Sequence, residues 1–197
     1  DSIARLFAAR MPYCVARSGQ AILSRFPILD HRYVRFPDSG NDYLEADLRV
    51  GDDTVRVFSV HLQTSGISGL RHRFRRDYDR DAPVERVIGE LERNSRIRAQ
   101  QVREIRTVID STRYPVILAG DFNDTPSSYT YRRLKGGMTD GFRAVGNGFG
   151  GTFRYLGGVL RIDYIFYDDN FTGVGYYMPD DDLSDHKAVI AELKFRR

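Results

Sequence analysis

Val116-Ile117-Leu118-Ala119-Gly120-Asp121-Phe122-Asn123 is the stretch on which the fold turns. Four apolar residues follow Tyr114-Pro115 and give way to Gly and Asp, the pattern of a short buried strand ending at polar groups. Upstream, Val84, Val87, Ile88, Leu91, Val102, Ile105 and Ile109 recur at three- and four-residue spacing, which predicts helix over 84–110. Pro83 suits a helix start. Ser95 interrupts the stripe, so two helices are also compatible. Residues 43–50 alternate, with Leu44, Ala46, Leu48 and Val50 on one face and Glu45, Asp47 and Arg49 on the other. Gly51-Asp52-Asp53 is a turn signal before a second strand over 54–62, so 43–62 reads as an antiparallel hairpin with His61 at its end. Residues 20–24 read as a strand stopped at Phe26-Pro27, and none is expected before residue 20. Residues 64–83, with Arg71-His72-Arg73-Phe74-Arg75-Arg76, read as a long loop or an insertion with some helix.

Downstream, 124–158 is mixed and glycine-rich, with a short helix expected near 128–134. Strands are expected over 162–167, carrying Asp163, and over 174–178. A closing strand is expected over 187–195, its run Ala188-Val189-Ile190-Ala191 buried behind Ser184-Asp185-His186. No repeat or linker interrupts the chain. One α/β domain over 1–197 follows, of mostly antiparallel strands with helices packed outside two layers.

The 197 residues suffice for a core. No apolar run approaches the ~20 residues of a transmembrane helix, and no signal-peptide h-region is visible. The compartment stays open, as does an upstream targeting segment. Cys14 stands alone, which excludes an intramolecular disulfide and a cysteine-built metal cluster. Net charge is only +3, but of 30 basic residues just three are Lys. The guanidinium fork suits phosphate and surface ion pairs equally.

Asp121 and Asn123, two apart, share a face in an extended segment. They pair a cation ligand with a phosphate donor, although Asp-Phe-Asn-Asp-Thr-Pro also reads as a plain turn. Asp185-His186 offers a ligand beside a base of suitable pKa, or simply a histidine at a strand start. Asp163 sits in an apolar strand and needs a partner; a catalytic imidazole and Arg161 both qualify. His61 ends a strand, where a structural role is also open.

Jointly, Ser59-Val60-His61-Leu62, Gly120-Asp121-Phe122-Asn123, Arg161-Ile162-Asp163-Tyr164-Ile165 and Ser184-Asp185-His186 resemble the endonuclease/exonuclease/phosphatase superfamily, with its deoxyribonuclease I-like fold. Gly19-Gln20-Ala21-Ile22-Leu23-Ser24-Arg25-Phe26-Pro27-Ile28 is similar to that family's strand-and-turn segment. The resemblance implies a four-layer α/β/β/α sandwich of two mostly antiparallel sheets. It implies Mg²⁺-dependent phosphoester hydrolysis, with Mn²⁺ as a substitute. His186 would be the general base and Asp163 would orient it. Asp121 and Asn123 would contact water, phosphate and metal, Asp185 would lie on the metal side, and His61 would contact phosphate.

The family's first-strand Asn and next-strand Glu have no counterpart upstream of residue 20. The expectation is therefore an N-terminally truncated domain from a longer protein, weak in Mg²⁺ binding and activity by itself, with an exposed sheet edge. The resemblance does not choose a substrate. Residues 71–106 hold eleven Arg against seven acids, which fits a nucleic-acid backbone, a membrane surface or a solvated ion-paired helix. A nuclease or phosphodiesterase is the favoured expectation. A lipid or small-molecule phosphoesterase, membrane-tethered through an upstream segment, and a non-catalytic binding member are the alternatives. Oligomeric state is not legible.

Overall fold

The computed structural model describes residues 2–37, 39–65 and 84–196. The Arg-rich stretch 71–76 and the 66–83 part of the expected insertion lie outside these residues.

A six-stranded mixed sheet has the order β3-β4-β5-β6-β8-β7. Its strands are β3 (Ile28–Arg35), β4 (Asp42–Val50), β5 (Asp53–His61), β6 (Val116–Asp121), β7 (Thr139–Asp140) and β8 (Asp163–Tyr167). Every neighbouring pair is antiparallel except β5–β6. That parallel pair requires a crossover, and the helix over Val84–Ser111 lies within it. The expected hairpin is β4–β5, and the expected helix is a single one.

We label the helices α1 (Ser2–Phe7), α2 (Val84–Ser111), α3 (Tyr129–Lys135) and α4 (Gly141–Val145). On one face, Val102, Ile105 and Ile109 of α2 and Tyr131 and Leu134 of α3 pack on Tyr43, Phe58, Val60, Leu118 and Phe166. The other face carries two antiparallel strand pairs. One is β1 (Tyr13–Arg17) with β2 (Gln20–Ser24), and the other is β9 (Phe171–Tyr177) with β10 (Ile190–Phe195). Ile22 packs there on Leu44, Ala46 and Leu48, and Leu193 and Phe195 pack near Val55 and Tyr167.

Four expectations change. A strand does precede residue 20, because Ser18 (φ 49) and Gly19 (φ 89) supply the left-handed turn that closes β1 on β2. β3 was not expected; it lies at the sheet edge, and its Asp30-His31-Arg32 is exposed, so no clean alternation marks it. The last strand starts at Ile190, not 187, and is half-exposed, so Ala188-Val189-Ile190-Ala191 is not a buried run. Ile88 and Leu91 are exposed, so the buried apolar stripe of α2 belongs to its second half. On the polar face of β4, Glu45 and Asp47 are buried while Arg49 is exposed: Glu45 accepts from Arg32 Nε at 2.8 Å, and Asp47 holds the Arg56 fork at 2.7 and 2.8 Å.

Candidate active site

Strand register builds the site. Because β5 and β6 are parallel, His61 and Asp121 end their strands side by side. Because β4 and β8 run against them, Asp42 begins opposite His61 and Asp163 opposite Asp121. Side chains of register partners share a face, so Asp42, His61, Asp121 and Asp163 form one row at a single rim. Gly120 makes the row possible. Its φ of +144 and a built Cβ only 1.9 Å from the Val60 carbonyl oxygen exclude any side chain there.

His186 reaches the row from the segment before β10. Its Nδ1 lies 2.9 Å from Asp163 Oδ2 and 3.1 Å from Oδ1. Its ring meets Phe153 edge-on at 5.1 Å. The hydroxyl of Thr152, fully buried, accepts the backbone N–H groups of Ile162 and Asp163 at 3.1 Å and fixes the start of β8. Arg161 pairs instead with buried Asp140, so the imidazole is the partner Asp163 has. That hydrogen bond raises the His186 pKa above its ordinary value, with burial opposing.

Asp121 accepts the Asn123 backbone N–H on Oδ1 at 2.7 Å and Asn123 Nδ2 on Oδ2 at 2.9 Å. Asn123 is left-handed (φ 51), a conformation Asn tolerates better than most residues. Its amide also donates to the Leu62 carbonyl at 3.0 Å, so both amide hydrogens are engaged. Burial, then the nearby Asp163 charge, push the Asp121 carboxyl up to about 7. His61 is half-exposed, with Nε2 3.8 Å from Asp121 Oδ2. Burial lowers its pKa, and the Asp42 charge opposes that.

Ligand atoms of Asp121, Asp163 and His186 lie within 4.8 Å of one another. Asp121 and Asp163 offer the carboxylate oxygens a hard divalent cation takes, while the His186 imidazole suits such a cation less and is already held by Asp163. The exposed Asp185 carboxylate is not in this group; its Oδ1 accepts from Ser184 Oγ at 3.3 Å. A cleft of about 90 Å³ adjoins the row, lined by Asn123, Asp124, Phe153, Leu160, Ile162 and His186 among others.

Sequence reasoning missed Asp42 and Thr152. Asp42 is buried and accepts the Tyr33 hydroxyl at 2.8 Å. After Gly40-Asn41 it looks like one more turn former, and a lone Thr after Gly150-Gly151 carries no signal.

This chain belongs to the endonuclease/exonuclease/phosphatase family, whose profile matches residues 5–186. The family is hydrolytic, cleaving phosphoesters, and typically uses divalent metals. Among solved structures, a humanized D. rerio TDP2 is similar at TM-score 0.68 and 16% identity, covering 98% of this chain and 80% of that one. An endonuclease/exonuclease/phosphatase from Beutenbergia cavernae is similar at TM-score 0.67 and 20% identity, covering 98% of this chain and 56% of that one. Sphingomyelinase C from Streptomyces griseocarneus is similar at TM-score 0.65 and 19% identity, covering 97% and 80%. These likenesses establish the deoxyribonuclease I-like fold. No curated protein sequence matches the chain. Among the described residues, no helix is long and apolar enough to cross a membrane.

Proposed function

We propose that the protein is a divalent-cation-dependent phosphodiesterase, with nucleic acid as the favoured substrate class. The observation that carries this reading is the Asp163–His186 pair beside Asp121. With its proton on Nδ1 facing Asp163, the imidazole leaves Nε2 open to take a proton from water. The Asp163 charge then stabilises the imidazolium that forms. Asp121, with Asp163 beside it, is the carboxylate best placed to hold Mg²⁺ or Mn²⁺; Asp185, exposed and outside the cluster, does not share that position. A bound cation supplies neutralisation of the carboxylate pair and polarisation of a phosphoryl oxygen. His61, beside Asp121, donates to a phosphate oxygen. Asn123 orients Asp121, and contacts phosphate only after releasing one of its two amide bonds.

The test is hydrolysis of plasmid DNA and bis-p-nitrophenyl phosphate by the full-length protein in Mg²⁺ or EDTA, beside His186→Ala. Cleavage that needs both the cation and His186 is expected. Cleavage retained in EDTA or in the variant sinks the reading.

A lipid phosphoesterase is the second reading. It is favoured by Phe149, Val159 and Leu183, exposed by 100%, 67% and 91%, in segments that also carry the cleft residues Phe153, Leu160 and His186. Exposed apolar side chains suit a membrane interface where they form one patch beside the site. Faster turnover of zwitterionic phospholipid vesicles than of DNA would select it.

A further inference from the structure

Asn94, Arg98 and Gln101 stand on one face of α2 at helical spacing, and all three are buried (8%, 5% and 3% exposed). A buried guanidinium is costly unless paired and hydrogen-bonded. Here all three side chains converge on Gln63, two residues beyond His61. Gln101 Oε1 accepts the Gln63 N–H at 2.9 Å, Arg98 Nη1 donates to the Gln63 carbonyl at 3.0 Å, and Gln63 Nε2 donates to Asn94 Oδ1 at 3.3 Å. On its other side, Arg98 Nε lies 3.4 Å from Asp124 Oδ2, next to Asn123, an ion pair without hydrogen-bond geometry. The two segments that Arg98 touches are themselves joined. The Leu62 N–H donates to the Asp121 carbonyl at 3.0 Å, and Asn123 donates back to Leu62.

We infer that Arg98 is a positioning residue. One guanidinium ties the segment after β5 and the segment after β6 to α2, and thereby steadies the strand ends whose register already places His61 beside Asp121. The kinetic consequence rests on the phosphodiesterase reading; the clamp itself does not.

Arg98→Lys keeps the charge, but a point ammonium replaces the fork that spans both partners. Native-state hydrogen exchange should accelerate about tenfold or more at the Leu62, Gln63 and Asn123 amides, and stay unchanged at Phe58 and Leu118. With Mg²⁺ and bis-p-nitrophenyl phosphate, kcat should fall about 10- to 100-fold while KM moves by less than about twofold. Asp124→Asn should accelerate Asn123 exchange, with an effect non-additive with Arg98→Lys in the double variant. Unchanged exchange at all three amides, or full additivity, overturns the inference whatever the rates do. Should the wild type cleave no phosphoester, the function reading fails and the exchange data still decide the clamp. If Arg98→Lys does not fold, Asp124→Asn decides it: faster Asn123 exchange supports the clamp, and unchanged exchange overturns it.

Discussion

Replacing Asp121 by Asn should stabilise the cation-free protein and remove its response to Mg²⁺. The folded carboxyl is pushed up to about 7 by burial and by Asp163, whereas an unfolded Asp titrates near ~3.9. The unfolded chain thus releases this proton at lower pH than the fold does. Between about pH 4 and 7 the folded state binds more protons, so stability falls as pH rises through that window. Above it the full penalty is present: about 3 units at ~1.36 kcal/mol each, on the order of 4 kcal/mol. This is a ceiling, since the side chain is 19% exposed and solvent screens part of the charge. An Asn at 121 carries no charge but can accept only one of the two Asn123 bonds, a loss of about 1 kcal/mol. The net gain at pH 8 in EDTA is then about 1–3 kcal/mol. For a domain of this size that corresponds to a rise in Tm of about 2–12 °C. Thermal melts of wild type and Asp121→Asn from pH 5 to 8, in EDTA and then in Mg²⁺, test it. The variant's advantage should grow with pH, and Mg²⁺ should raise the wild-type Tm more than the variant's. A variant destabilised at pH 8, or an advantage that does not change with pH, refutes the reasoning.

Asp163 raises the His186 pKa, and a base must be neutral, so wild-type kcat/KM should climb with pH through a value above ~6.5. Asp163→Asn should move that limb to lower pH and cut kcat by about 10²-fold or more; a pH–rate profile reads both. Gly120→Ala places a Cβ against the Val60 carbonyl and should cost about 2 kcal/mol or more in urea unfolding. Asn123→Gly and Asn123→Ala both lose the bonds to Asp121 and Leu62. Only Ala strains the left-handed backbone, so it should be less stable than Gly by about 1 kcal/mol; equal stabilities would remove the strain argument.

Apolar spacing located α2 and the β4–β5 hairpin, and a short apolar run ended by Gly and Asp located β6, because each signal lies within the element's own sequence. His61, Asp121, Asp163 and His186 were each legible singly as polar groups in or beside apolar runs, and only the joint resemblance of their motifs to a family marked them as a set. Short or edge strands escaped: β1 and β3 are half-exposed and mix charges with apolar residues, so no face stands out. Asn94, Arg98 and Gln101 carry no signal in the helix's own sequence, because their burial depends on a segment 31 to 38 residues away in sequence. The row itself belongs to tertiary structure. Which residue of β5 lies beside Asp121 is set by hydrogen-bonded register between strands joined by a long crossover, and that pairing is invisible in either strand's own sequence.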